Sequence, residues 1–494
     1  MRRSVLVAVL PSASARMRSS SPVLIQPPDS WCADSRRLSY MHLEHARRAA
    51  ELGDEWHGHW IGTAFTIEER FDRDAFAATI RQWFARHEAL RSAVQLGGTP
   101  EDDLVRMTIE PEAVGVSGLS MGVAASPDSA RQRIQDFFDT TVNPLTWPHC
   151  VVVTLEPDDR DDRFLVVFGA DHTVMDAYTQ VFAINELSAL YRAEINDEHH
   201  GLAEYGSYLD FSDAERHLGE QIDANNSAVV AWRQFFNESP TSVQPHAMPR
   251  FPRCVAGGVD AVVPPREPDS GMQVSLSQDL LDSAEAARFN DICKAAGGSV
   301  TTGIYTAMSI ASAALAGTGE MRFVSPVHTR TGPEWGEAVG WFVGLVPVHL
   351  DPSDAQTFSQ ALPRVAESVS RYKNVGTAPF APIADLIGGD VTPPGFVVSY
   401  IDLRLAQGAA EWDRRNARVL RSATREVDEV YLWINRIPDG INISTRYPSG
   451  ERRREVEAFL SVFAEVLRTI VDAGDHDYMF AREMTSQASA DITA

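Results

Sequence analysis

A short apolar run that opens into a helix-period pattern is the clearest feature of the chain. Residues 164–168 read FLVVF, and such an unbroken, valine-rich run predicts a buried strand, with apolar residues at helical spacing after it. Asp171, His172 and Asp176 fall at the junction between these two predicted elements. Rigid elements on both sides give a catalytic side chain its best support, so His172 is the leading candidate.

Apolar runs or alternation typical of strands, and apolar residues at helical spacing, recur along the rest of the chain. Predicted strands lie at 60–67, 105–109, 150–155, 163–168, 321–327, 339–348, 396–401, 430–436 and 441–446. Predicted helices lie at 38–50, 71–90, 130–138, 207–217, 227–236, from the cap residue Ser277 to Gly297, and at 300–316, 355–372 and 451–471. Both halves mix strands and helices, which predicts an α+β fold.

A proline-rich stretch divides the chain. A length of 494 residues exceeds one ordinary core, and residues 239–270 hold seven prolines without a helix period. We therefore expect an interdomain crossing there. The predicted organisation is an extension at 1–30 that is disordered or misannotated, an N-terminal lobe at 31–238, the crossing at 239–270, a C-terminal lobe at 271–480 and a disordered tail at 481–494.

The first residues imitate a signal peptide, with a basic start, an apolar run from Ser4 to Leu10 and the small residues Ala13 and Ala15. Pro11 cuts that run short, so we favour a disordered extension or a translation start at Met17 over secretion. No run of about 18 apolar residues predicts a spanning helix. We expect a cytoplasmic protein.

Charge and cysteine content narrow the function classes. Lys and Arg number 44 against 68 Asp and Glu, a net charge of −24, which works against nucleic acid or an anionic membrane as partner. The four cysteines, Cys32, Cys150, Cys254 and Cys293, lie far apart. Their spacing predicts neither a zinc site nor a disulfide framework, and they are best explained as small core residues in a reducing compartment.

The HxxxD spacing of His172 and Asp176 is a weak signal by itself. The alternative is a hydrogen-bonded histidine at a strand end and a helix cap. In favour of function, an imidazole with a pKa near ~6.5 can take a proton from an alcohol or amine, and a carboxylate one turn away can fix its loop. GxxxxGK[ST], GxGxxG and HExxH motifs are absent. A metal on Asp171, His172 and Asp176 would need ligands that the sequence does not indicate, so we expect no metal site.

Several stretches, in order, resemble one superfamily. They are LSYMHLEH at 38–45, RHEALRS at 86–92, DHTVMDA at 171–177, GSYLDF at 206–211, TRTGPEWGEAVGWFVGLVPV at 329–348 and VVSYIDLR at 397–404. DHTVMDA resembles the HHxxxDG motif of the condensation-domain superfamily of CoA-dependent acyltransferases. The ordered set resembles most closely the actinobacterial polyketide-associated (Pap) acyltransferases, over nearly the whole chain.

The resemblance implies two chloramphenicol-acetyltransferase-like lobes in a V with a central tunnel. It makes His172 the catalytic base and Asp176 the residue that orders its loop through a salt bridge to an arginine of the other lobe. Arg330 is the candidate for that arginine. The resemblance also makes Arg330, Asp171, Gly340 and Trp341 candidates for binding substrate or bridging the lobes.

Two positions depart from the motif. Asp171 stands where the family has a first histidine, and Ala177 stands where it has a glycine. Alanine would strain the turn if that position needed a positive φ, and would be harmless in the first turn of a helix.

The implied activity is acyl transfer from acyl-CoA or an acyl-phosphopantetheine carrier protein to a hydroxyl of a glycolipid, polyketide or other secondary metabolite. Transfer to an amine is the less favoured variant. No permanently bound cofactor is implied, and we expect a monomer whose partners are a small-molecule or lipid acceptor and, if the donor is carrier-bound rather than acyl-CoA, an acyl carrier protein. The alternative is a catalytically idle condensation-like domain that docks a carrier protein or tailoring enzyme.

Overall fold

The computed structural model describes residues 19–26, 31–56, 58–97, 104–118, 120–156, 162–237, 247–253, 272–352, 355–388, 391–424 and 428–477. The predicted tail at 481–494, Cys254 and most of the proline-rich crossing lie outside these ranges.

Strands and helices are mixed along the whole chain, which confirms the α+β class. The strands are β1 Ser19–Gln26, β2 Cys32–Ala33, β3 Trp60–Ile67, β4 Ser92–Leu96, β5 Leu104–Thr108, β6 Gly115–Gly118, β7 Cys150–Glu156, β8 Phe164–Asp171, β9 Val274–Asp282, β10 Met321–His328, β11 Val343–Leu350, β12 Phe396–Asp402, β13 Arg418–Arg421, β14 Val430–Ile437 and β15 Gly440–Tyr447. The helices are α1 Tyr40–Leu52, α2 Arg73–Arg86, α3 Pro127–Thr141, α4 Ala177–Asn196, α5 Tyr208–Glu220, α6 Ser227–Asn237, α7 Ser283–Ala295, α8 Val300–Ala316, α9 Phe358–Arg371, α10 Phe380–Ile387 and α11 Glu451–Ala473.

The chain forms two compact units. The first contains residues 1–221, 329–343 and 405–424, and the second contains 222–328, 344–404 and 425–494. These ranges differ from the two lobes expected from the sequence, because the segments 329–343 and 405–424 pack with the first unit and α6 packs with the second. The indole of Trp232 on α6, for example, lies 4.5 Å from the Phe380 ring of α10, centroid to centroid.

A six-stranded sheet, ordered β13-β3-β8-β7-β1-β6, forms the centre of the first unit. All of its pairs are antiparallel. β8 lies between β3 and β7, and all eight of its residues are buried, which explains the unbroken apolar run in its sequence. A second sheet of this unit has the order β2-β5-β4.

The second unit is built on a mixed sheet, ordered β11-β10-β12-β14-β15-β9. β12 pairs in parallel with both β10 and β14, and β14-β15-β9 is antiparallel. One cluster of buried apolar side chains fills this unit, from Trp232 on α6 to Phe463 on α11. Within the described ranges no single helix is long and apolar enough to cross a membrane, and the pair α7 and α8 reaches that length only across a bend of 91°.

Several strands differ from the sequence-based expectation: β2, β4, β6 and β13 were not predicted, and β1 and β9 replace other expected structure. Residues 19–26, placed in a disordered or misannotated extension, form β1 between β7 and β6, where backbone pairing compensates for a sequence of serines and a proline. A helix cap was predicted at Ser277, but that residue lies in β9, and the helix begins after Asp282 with a capping box to Glu285. β13 was not predicted, because its four residues are too few for a visible alternation.

Candidate active site

His172 lies on a single 3₁₀ turn between β8 and α4. The first turn of α4 is fixed to the sheet, because Gln180 Nε2 donates to the Gly62 carbonyl of β3 at 2.6 Å and Thr63 Oγ1 donates to the Gln180 carbonyl at 2.9 Å. The turn is therefore held between a buried strand and an anchored helix, as the sequence pattern predicts.

The imidazole of His172 stacks on the indole of Trp341, with ring centroids 4.4 Å apart and planes inclined by 25°. Its Nδ1 is buried. Burial and then the charge of His45 lower the pKa of His172 to about 4. The imidazole is thus neutral at neutral pH, the state that a general base requires.

Asp176 is the centre of a saturated hydrogen-bond network. It caps α4 by accepting from the Thr179 amide at 2.8 Å. Arg330 binds it in a bidentate manner, through Nη1 to Oδ2 and through Nη2 to Oδ1, the latter at 3.1 Å. The amide of Phe342 donates to Oδ2 at 3.1 Å. The two charged side chains are 5% and 8% exposed, so the pair is a buried structural tie.

Arg330 belongs to the first unit, as does Asp176, so the pair is internal to that unit. The salt bridge of Asp176 was expected to reach another lobe, but it joins Asp176 to the segment 329–343 of the same unit. Arg330 Nη2 also donates to the Ala338 carbonyl at 3.0 Å, and the guanidinium lies 4.3 Å from the centroid of the Phe342 ring. The salt bridge therefore holds in place the segment that carries Trp341.

Gly340 and Trp341 have distinct surroundings in this segment. A Cβ at Gly340 would overlap the ring of Tyr208, so the glycine is required by the close approach of that side chain. Tyr208 is itself fixed by a hydrogen bond of 3.0 Å between its hydroxyl and Ser39 Oγ. Trp341 is 8% exposed and is packed between His172 and the edge of His45.

Asp171 points into the protein interior. It is 1% exposed, and its Oδ1 accepts from the Thr173 amide at 2.9 Å while its Oδ2 lies 3.3 Å from His45 Nε2. Burial alone would raise the pKa of this carboxyl, but the charge and hydrogen bond of His45 and the Thr173 amide hold it well below its usual range. Both oxygens of Asp171 thus bind protein groups.

Ala177 occupies a harmless position in the motif. It is the first residue of α4 and its φ is not positive. Of the two possibilities raised by the sequence, the helical one holds, and the added methyl group does not strain the turn.

Two contributors to this site were not predicted from the sequence. His45 stands on α1, 126 residues before Asp171, and no local pattern links a histidine on that helix to the carboxylate. The Phe342 amide is a backbone donor and leaves no signal in the sequence. The buried carboxylate of Asp171 was the available clue to His45, since an ionised interior carboxylate needs a partner.

Among the described residues, no group of three or more His, Cys, Asp or Glu side chains is arranged to hold a metal ion.

Comparison with known proteins gives one family. The family model described as "Condensation domain" matches residues 48–390. Acyltransferase PapA3 of Mycobacterium tuberculosis (strain ATCC 25618 / H37Rv) is 24% identical over 477 residues, which cover 94% of this chain and 93% of the relative. The 2'-acyl-2-O-sulfo-trehalose (hydroxy)phthioceranyltransferase PapA1 of M. tuberculosis (strain CDC 1551 / Oshkosh) is 25% identical over 388 residues, covering 77% of this chain and 69% of the relative.

A solved structure shares the fold. That of "PapA2 acyl transferase" superposes with a TM-score of 0.79 at 19% identity and covers 93% of this chain and 98% of the other.

Proposed function

The chain belongs to the condensation-domain family, and we propose that it transfers an acyl group from a thioester to a hydroxyl, with His172 as general base. The family membership confirms the resemblance seen in the motifs. The observation that carries the proposed role is the neutral imidazole of His172, stacked on Trp341 at the end of a fully buried strand.

The reaction needs one base and no covalent intermediate on the protein. His172 Nε2 accepts the proton of the hydroxyl as its oxygen attacks the thioester carbonyl carbon. When the tetrahedral intermediate collapses, the C–S bond breaks and His172 returns the proton to the leaving thiolate. Proton transfer of this kind contributes about 10² to 10⁴ in rate, and alignment of the two substrates adds to it.

Asp176 and Arg330 act in this proposal as positioning residues. Both oxygens of Asp176 accept two hydrogen bonds each, from Thr179, Arg330 and Phe342, so its carboxylate orders the loop. Its charge is neutralised by Arg330, which limits its influence on the proton affinity of His172.

The donor and acceptor classes are drawn from the relatives. PapA1 is named for transfer to an acylated sulfo-trehalose, and we propose for this chain a hydroxyl of a glycolipid, polyketide or similar metabolite as acceptor. The proposed donor is acyl-CoA or an acylated carrier protein. A docking domain without activity is the alternative, and the ordered network around Asp176 and His172 favours the enzyme.

The test is a substrate panel with the full chain. Acyl-CoA thioesters of short, medium and long chain are incubated with trehalose, a sulfated trehalose and a polyketide alcohol, and thiol release and product mass are followed. We expect acceptor-dependent thiol release together with an ester of acceptor and acyl group. The acylated carrier protein is also tried as donor. If the chain binds that carrier protein but forms no ester with any donor or acceptor, the docking alternative is supported.

A further inference from the structure

Asp171 is a buried carboxylate that contacts one side chain, that of His45, among the residues that the structure describes. Of the groups in contact with it, Thr173 offers a backbone amide at 2.9 Å and His45 offers a ring nitrogen at 3.3 Å. An ionised carboxylate in the interior costs several kcal/mol unless it is paired. His45 is therefore its structural counterpart in the described part of the chain.

The other titratable groups around Asp171 are poor candidates for the positive partner of this carboxylate. His42 on α1 and His149 before β7 are 3% and 2% exposed, and burial lowers the pKa of both. The positive charge of the buried Arg106 on β5 further lowers the pKa of His42. His45 is 14% exposed and is the histidine that contacts the carboxylate.

His45 is also connected to His172 through one indole. Its ring meets Trp341 edge-on, with centroids 5.4 Å apart, while His172 stacks on Trp341 at 4.4 Å. Both Asp171 and His45 thus lie close to the proposed base. Their charges act in opposite directions on it: the carboxylate favours the protonated imidazole and a cation favours the neutral one.

Asp176 is the second carboxylate whose charge acts on the pKa of His172, and Arg330 already neutralises it. The negative charge of Asp171, which favours protonation of His172, would stay uncompensated without a second cation. Of the described groups, His45 stands where that cation is needed.

We propose that His45 is a positioning residue of this site: paired with Asp171 and packed on Trp341, it offsets the carboxylate next to His172 and keeps the His172 ring unprotonated. The catalytic consequence rests on the proposed function, whereas the charge relationship does not. The alternative is that His45 only fills space in the aromatic cluster with Trp56, whose ring centroid lies 4.8 Å away.

The test is a ring-proton and ring-nitrogen NMR titration of the full chain labelled at histidine, without substrate. The variants are His45→Gln, which keeps a hydrogen-bond donor but removes the charge, and the double variant Asp171→Asn with His45→Gln. His59→Gln is the matched control, since His59 stacks on Trp56 at 4.0 Å and lies 6.5 Å from His45.

We expect His45→Gln to move the titration midpoint of His172 upward by about one pH unit, and the double variant to return it toward the wild-type value. His59→Gln should leave the midpoint in place. A midpoint unmoved by His45→Gln, or one that the double variant does not restore, would overturn the proposal.

The wild-type chain provides a second measurement in case His45→Gln does not fold. Its His45 Nε2 proton, assigned by its loss in Asp171→Asn, should be shifted downfield and slow to exchange because it donates to the carboxylate, and a fast-exchanging proton would overturn the proposal. Because neither measurement uses substrate, a chain without acyl transfer would refute the proposed function and leave this relationship standing. Likewise, an active chain whose His172 midpoint does not respond to His45→Gln would refute this relationship and leave the proposed function standing.

Discussion

Asp176 and Arg330 lie 154 residues apart in the chain and form a buried bidentate salt bridge beside His172. The carboxylate at the same time caps α4 and accepts from the Phe342 amide. One side chain therefore fixes both the helix that follows His172 and the segment that stacks on it.

Removing one partner of this pair should destabilise the fold. In Arg330→Ala the carboxylate of Asp176 stays buried without its cation, at a cost of about 3 to 5 kcal/mol in the free energy of unfolding. Arg330→Lys should recover only part of that loss, because an ammonium cannot bind both oxygens in the same geometry. Urea unfolding followed by circular dichroism measures the difference.

Arg192→Ala is the matched control. Arg192 pairs with Glu69 at 2.9 Å, but its side chain is 54% exposed, so its loss should cost about 0 to 1 kcal/mol. Equal losses for the two arginines would contradict a structural role for the buried pair.

Trp341 should affect turnover more than substrate binding. Its indole supports the His172 ring, and its removal in Trp341→Ala frees that ring to leave its working position. We expect kcat to fall about 10- to 100-fold with little change in KM. Trp341→Phe keeps a flat surface for stacking and should lose less. A rise in KM alone would instead make Trp341 a substrate contact.

The pH dependence of acyl transfer should follow the lowered pKa of His172. With a pKa of about 4, the ring gains its proton only as the pH falls through about 4, and above that value the base is in its neutral, active form. The acid limb of kcat/KM should therefore lie near pH 4 rather than near the ~6.5 of an unperturbed histidine.

The measurement is kcat/KM from about pH 4 to 8, with circular dichroism at each pH to establish that the chain is folded. An acid limb near pH 6.5 in the folded chain would show that burial and His45 do not hold the imidazole neutral.

The central part of the site could be predicted from the sequence, but the residues that surround it could not. β8 and α4 are visible because a fully buried strand leaves an unbroken apolar run and the helix after it carries apolar residues at helical spacing, and His172 lies where they meet. Arg330 followed only from the resemblance, since no local pattern links it to Asp176. Contacts across long separations, such as that of His45 with Asp171, depend on tertiary packing and leave no periodic signal.

The unpredicted strands have a related cause. β13 is too short to show alternation, and it exists because its backbone pairs with β3 from Ile61 to Ala64. β9 reads as a helix start because Ser277 is a good cap residue, but pairing with β15 decides its conformation. Backbone pairing with a neighbouring strand outweighed local preference in both cases.

The most direct test of the proposed function is the acyl-transfer rate of His172→Ala beside that of the wild-type chain, on whichever donor and acceptor give product. Loss of the base should lower kcat by about 10² to 10⁴ while the unfolding transition stays unchanged or nearly so. Wild-type turnover in a folded His172→Ala variant would contradict His172 as the general base.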